Sequence, residues 1–223
     1  MKQPAPTHES LRGDDDTRTR LLDAARNLFI THGFQGTSTR AIAAGAGCNL
    51  SLIKYYFGSK EGLLREVLRP EIESVRTLIE TLAGDGPPTA ERLREFFLGM
   101  SRRLDTNRHF FRLMFAELLR EDSPLSGELL EPVSLNQQSA LRVLQGARDA
   151  GMLRDVDLRA TLLLIMGSLM FYHLAYPVAS QLVGPRSPEV VDRLGATAAD
   201  VFMHGILKDP RCPDPNPGME TPR

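Results

Sequence analysis

From Thr17 to about residue 207 the apolar residues recur at three- and four-residue intervals, and no alternating run of convincing length interrupts them. That periodicity restricts the chain to an all-α fold, in which each helix buries one apolar stripe against other helices. With 223 residues, 42% hydrophobic and 25% charged, there is material for one sizeable core or two smaller ones. Residues 1–16, with Pro4, Pro6, Gly13 and Asp14-Asp15-Asp16, read as a flexible arm, although the acidic triplet also suits a helix N-terminus. Residues 208–223 carry five prolines and read as a disordered tail.

The first helix is expected over Thr17 to His32, with Leu21, Leu22, Ala25, Leu28 and Phe29 on one face and Gly33 ending it. Thr37 or Ser38 can cap a short second helix whose Ile42 and Ala43 face inward. Gly45-Ala46-Gly47 supplies a tight turn, and Asn49 can cap a third helix in which Leu52, Ile53 and Phe57 pack below. Residues 38–57 thus form a helix-turn-helix, a unit that presents its last helix to the major groove of double-stranded DNA. Asn49, Leu50, Ser51 and Lys54 are placed for base readout, since lysine donates to guanine and leucine meets a thymine methyl. Thr37, Ser38, Thr39, Arg40, Tyr55, Tyr56 and Lys60 suit phosphate contacts. Tyr55 and Tyr56 are adjacent on a helix and cannot both point fully inward.

Charge agrees with this placement. Thr17 to Lys60 holds six basic residues against one acidic, a net +5, which leaves −6 for the rest of a chain whose total is −1. A local basic surface on an acidic protein favours phosphate binding at one place.

Residues 17–65 resemble the DNA-binding domain of the TetR/AcrR family of bacterial transcriptional regulators. The residues that carry the likeness are Ala24-Ala25, Leu28-Phe29, Gly33-Phe34, Thr37-Ser38-Thr39, Ile42-Ala43, Ala46-Gly47, Tyr55-Tyr56-Phe57 and Ser59-Lys60-Glu61-Gly62-Leu63, in the family's order and spacing. Cys48 stands where an aliphatic residue is commoner and Lys54 where tyrosine is frequent, and the second departure bears on sequence preference. The resemblance implies a regulator, commonly a repressor, that binds a palindromic operator as a homodimer and is released by a small-molecule effector. It also implies that residues 66–207 form a helical effector-binding and dimerisation domain. A connecting helix over about 59–82 contains Pro70, a candidate hinge because proline removes a backbone hydrogen bond. Further helices are expected at about 89–105, 107–121, 126–150, 156–183 and 187–207, the last two forming the dimer interface. Arg120-Glu121-Asp122-Ser123-Pro124 followed by Glu131-Pro132 is faintly similar to CecR-like regulatory domains.

Phe97, Met100, Phe111, Met114, Phe115, Met166 and Met170, with Tyr172 and His173 as polar handles, could line a pocket for a hydrophobic effector, although such residues also make ordinary cores. Ala160 to Pro185 contains no Asp, Glu, Lys or Arg, long enough to raise a membrane span. His173, Pro177, Ser180 and Gln181 within it argue for a buried or interface helix and no membrane. The five histidines lack metal spacing, and neither a glycine-rich phosphate loop nor a nucleophile elbow occurs, so no metal, cofactor or enzyme activity is called for. Cys48 and Cys212 suggest no disulfide framework, and the start resembles no secretory signal, which fits the cytoplasm. An activator or effector-independent regulator, a helical enzyme and a membrane-associated protein are the alternatives.

Overall fold

The computed structural model describes residues 8–86, 89–120, 123 and 126–207. Among these residues there are ten helices and no sheet: α1 His8–His32, α2 Thr39–Gly45, α3 Ser51–Phe57, α4 Lys60–Ala83, α5 Ala90–Thr106, α6 Arg108–Leu118, α7 Ser126–Asp149, α8 Leu158–Leu174, α9 Tyr176–Val183 and α10 Pro188–Ile206. The all-α expectation holds. The chain divides into two compact units, residues 1–70 with 113–130, and residues 71–112 with 131–223. The first division falls at Pro70, inside α4, where proline has no N–H to donate to the Glu66 carbonyl.

The first unit is built on Leu21, Ala25 and Phe29 of α1, Ile42 and Ala43 of α2, Ile53 and Phe57 of α3, and Leu63, Leu64, Val67 and Leu68 of α4, all buried. One difference from the sequence expectation concerns its edge. α1 starts at His8, not Thr17, so residues 8–16 are helical and only residues 1–7 of the expected arm lie outside the described residues. Asp14, Asp15 and Asp16 then occupy the early part of a helix, where the macrodipole favours acidic groups, and Asp16 pairs with Arg20 at 3.2 Å. The tail at 208–223, with Cys212, also lies outside the described residues, as do Glu121, Asp122 and Pro124 of the CecR-like segment.

In the second unit the closest packing is α5 against α10. Gly195 allows it: a Cβ there would lie 3.0 Å from Ser101 Cβ and 3.2 Å from the Phe97 carbonyl oxygen. Ser101 Oγ donates to the Val191 carbonyl at 2.9 Å inside this contact, so the buried hydroxyl is satisfied. Phe97 stacks on Phe202, with ring centroids 5.7 Å apart and planes 13° from parallel. Leu144, Ala147, Leu153, Leu158 and Ile206 form a further cluster, closed by an antiparallel bridge between Leu153 and Leu207.

The single helix expected over 156–183 is instead two, α8 and α9, bent by 96° at Ala175. Pro177 explains the break, because its ring opposes the His173 carbonyl and it has no N–H to continue the ladder. Among the described residues no single helix is long and apolar enough to cross a membrane.

Candidate nucleic-acid interface

The second and third helices are set by local chemistry that the sequence already displays. Ser38 Oγ accepts from Ala41 N–H at 3.1 Å and caps α2. Gly47 takes φ +61°, a left-handed conformation that side chains disfavour, and the adjacent Cys48 N–H returns to the Ala43 carbonyl at 2.9 Å. Asn49 Oδ1 then accepts from the backbone N–H and the hydroxyl of Ser51, at 2.9 and 2.8 Å, and caps α3. Ile53 and Phe57 anchor α3 inward, which turns Leu50, Ser51, Lys54 and Tyr55 outward.

Tyr55 is 73% exposed, its ring touching only the edge of Tyr56 among described ring contacts. A large aromatic left in solvent beside a lysine does no packing work for the unit. Asn49, Leu50, Ser51, Lys54, Ser38 and Arg40 are likewise exposed, and Thr39 is half-buried. These residues lie along one helix-turn-helix, with Arg40 on α2 and Lys54 on α3 bearing no ion pair among the described residues.

Three candidates look different in the structure. Thr37 is buried, and its hydroxyl reaches the carbonyls of Leu28 and Gly33, at 3.1 and 2.8 Å. It ties the loop to the end of α1 and is removed from the phosphate-contact set. Lys60 lies half-buried with Nζ 4.2 Å from the centre of the Phe34 ring, and burial lowers its pKa despite Glu61 and Glu117 nearby. Tyr56 is half-buried, and its hydroxyl donates to Asp14 of α1. That hydrogen bond, followed by the other effects of its surroundings, pushes the Tyr56 pKa up to about 12.

Sequence reasoning missed Asp14, because the acidic triplet reads equally well as part of an arm. It also left unassigned the job of Arg18, which pairs with Glu66 at 2.5 Å and covers the Phe57 ring at 5.3 Å, joining α1 to α3 and α4. Arg18 and Arg20 are thus committed to ion pairs, and the basic segment narrows to fewer available cations than its sequence count suggests.

The residues expected to line an effector pocket fall in both units. Phe97, Met100, Phe111, Tyr172 and His173 are buried and Met166 and Met170 half-buried in the second unit, whereas Met114 and Phe115 belong to the first. Phe97 is a packing residue of the α5 and α10 contact. A groove of about 350 Å³ between α4 and α5 is lined by Ser74, Thr77, Leu78, Gly99, Arg102, Arg103 and Thr106, none of them in the expected set.

Tyr172 and His173 sit in a polar cluster. Asp105 pairs with Arg186, whose guanidinium covers the rings of Tyr172 and Tyr176 at 5.4 and 4.5 Å, and His173 Nδ1 is 3.9 Å from Asp105. His173 is 2% exposed, and burial, with Arg186 and Arg108 adding to it and Asp105 opposing, lowers its pKa to about 4 from 6.5. A histidine whose folded pKa is depressed stabilises the fold above its unfolded pKa and loses that contribution as pH falls. Unfolding free energy is therefore expected to drop by roughly 3 kcal/mol between pH 6.5 and pH 4 on account of His173. Urea titrations across that range check it, with His173→Gln giving the flatter profile.

Exposed side chains on a capped third helix, anchored from beneath by Ile53 and Phe57, define a helix-turn-helix unit. Residues 21–67 match the family described as bacterial regulatory proteins, tetR family. Over 195 residues the chain is 28% identical to the HTH-type transcriptional regulator RutR of Escherichia coli K12, covering 85% of this chain and 84% of that one. It is 27% identical over 130 residues to the probable HTH-type transcriptional regulator YttP of Bacillus subtilis, covering 57% of this chain and 62% of YttP, less than two thirds of that relative's length. The fatty acid degradation regulator FadR of Bacillus halodurans shares the fold, with a TM-score of 0.68 at 17% identity over 84% of this chain and 98% of that one. The relatives and the fold that the chain resembles are those of transcriptional regulators, not of enzymes.

Proposed function

We propose that the protein is a one-component repressor that binds a palindromic operator as a homodimer, with α3 of each copy in successive major grooves, and that a small hydrophobic effector releases it. The observation that carries the DNA reading is the outward face of α3, Leu50, Ser51, Lys54 and Tyr55, held there by buried Ile53 and Phe57. In this reading Asn49, Leu50, Ser51 and Lys54 read base edges, while Ser38, Thr39, Arg40, Tyr55, Tyr56 and Lys60 position phosphates. Residues 17–65 are the DNA-binding domain, and residues 66–207 bind effector and dimerise in the cytoplasm.

The dimer is supported by α8, which is apolar on its outer side as well as its inner one: Leu163 is 71% exposed and Phe171 59%, with Leu164 and, on α10, Val201 also exposed. A solvent-facing stripe of that kind calls for a partner, and a second copy offers the same surface across a two-fold axis. Pro70, at the unit division inside α4, serves as the hinge through which the effector acts. For 100-fold release the effector must favour the non-binding conformation by about 2.7 kcal/mol.

Sedimentation equilibrium of the wild type and of Leu164→Glu, followed by titration of operator DNA, tests the assembly. A wild-type dimer, a monomeric variant and operator affinity lost with dimerisation support it. A wild-type monomer that binds operator fully would sink it, and a dimer that recruits polymerase instead of excluding it would make the protein an activator.

A further inference from the structure

Tyr56 has one hydroxyl proton, and that proton is given to a carboxylate. The acceptor is Asp14, 42 residues away in sequence and carried on the early part of α1. A hydroxyl that donates to one acceptor cannot donate to a second at the same time. A phosphate oxygen and the Asp14 carboxylate, both anionic acceptors, therefore require the same proton, and they repel each other at short range.

We infer that Asp14 acts as an intramolecular phosphate mimic, occupying the Tyr56 hydroxyl until DNA displaces it and thereby setting the protein's affinity for the DNA backbone. The inference rests on the reading of Tyr56 as a phosphate contact. Asp14 is a positioning residue here: it touches Tyr56, and DNA affinity changes through that contact. Its neighbour Asp16 is engaged by Arg20, so the two carboxylates have different partners. In this reading Arg40 attracts the backbone and Asp14, through Tyr56, opposes it, which lowers binding to DNA of any sequence more than it lowers recognition of base edges.

Because backbone contacts are independent of sequence, a random-sequence duplex at low salt is a sufficient probe. Affinity is measured by fluorescence anisotropy for the wild type, Asp14→Ala, Asp14→Asn, Tyr56→Phe and the Asp14→Ala/Tyr56→Phe double variant, with thermal melting of each. Asp14→Ala is expected to tighten binding about fivefold, and Asp14→Asn by less because its amide carbonyl still accepts, though as a neutral group. On the Tyr56→Phe background the same aspartate substitution is expected to change affinity by less than about twofold, since no shared proton remains. Unchanged or weaker binding by Asp14→Ala overturns the inference. An equal gain on both backgrounds overturns it too, because Asp14 would then act by charge alone. Should Tyr56→Phe match the wild type while Asp14→Ala still tightens binding, it is the phosphate role of Tyr56 that fails.

Discussion

Phe97→Ala is expected to destabilise the second unit by about 3–5 kcal/mol, the cost of emptying a fully enclosed aromatic site. The ring is 2% exposed and stacked on Phe202, and its own backbone carbonyl lies under Gly195 of α10. Helices this close cannot collapse much further into the space a phenyl ring vacates, so the cavity persists and its walls lose their contacts. The neighbouring Phe96→Ala serves as control. Phe96 is only half-buried, and its loss should cost about 1 kcal/mol. Urea unfolding of the two variants separates the cases; equal small losses would show that α5 and α10 are not the unit's central contact.

The second large effect is on binding. Lys54→Ala/Tyr55→Ala is expected to lower affinity for specific DNA about 100-fold, because it removes one charged donor and one exposed aromatic from α3 together. The melting temperature should stay within a few degrees, since both side chains are exposed and the α3 anchors, Ile53 and Phe57, are untouched. A variant that binds as the wild type does would move recognition away from α3.

The helix-turn-helix was legible in the sequence because its determinants are short-range: a serine cap, a glycine that must adopt φ +61°, an asparagine cap, and two buried residues four apart on α3. Thr37 was misplaced for the opposite reason. Its hydroxyl partners are carbonyls at the end of α1, and no spacing rule distinguishes that buried hydroxyl from an exposed one. The break between α8 and α9 was readable from Pro177, yet continuous apolar character on both sides of it favoured a single long helix. Effector residues were the least legible, because phenylalanine and methionine are the residues of cores and pockets alike, and Phe97 proves to be packing. The Asp14 contact joins α1 to α3 across 42 positions, a separation at which composition carries no signal.

The central claim is that α3 reads DNA sequence. Fluorescence anisotropy of the wild type with duplex DNA from beside its own gene, against a scrambled duplex of equal length and composition, across a salt series, tests it most directly. The account predicts binding to the native duplex at least about 1,000-fold tighter than to the scrambled one, weakening steeply as salt rises. Equal, weak affinity for both duplexes, with no site found along the flanking DNA, would contradict it.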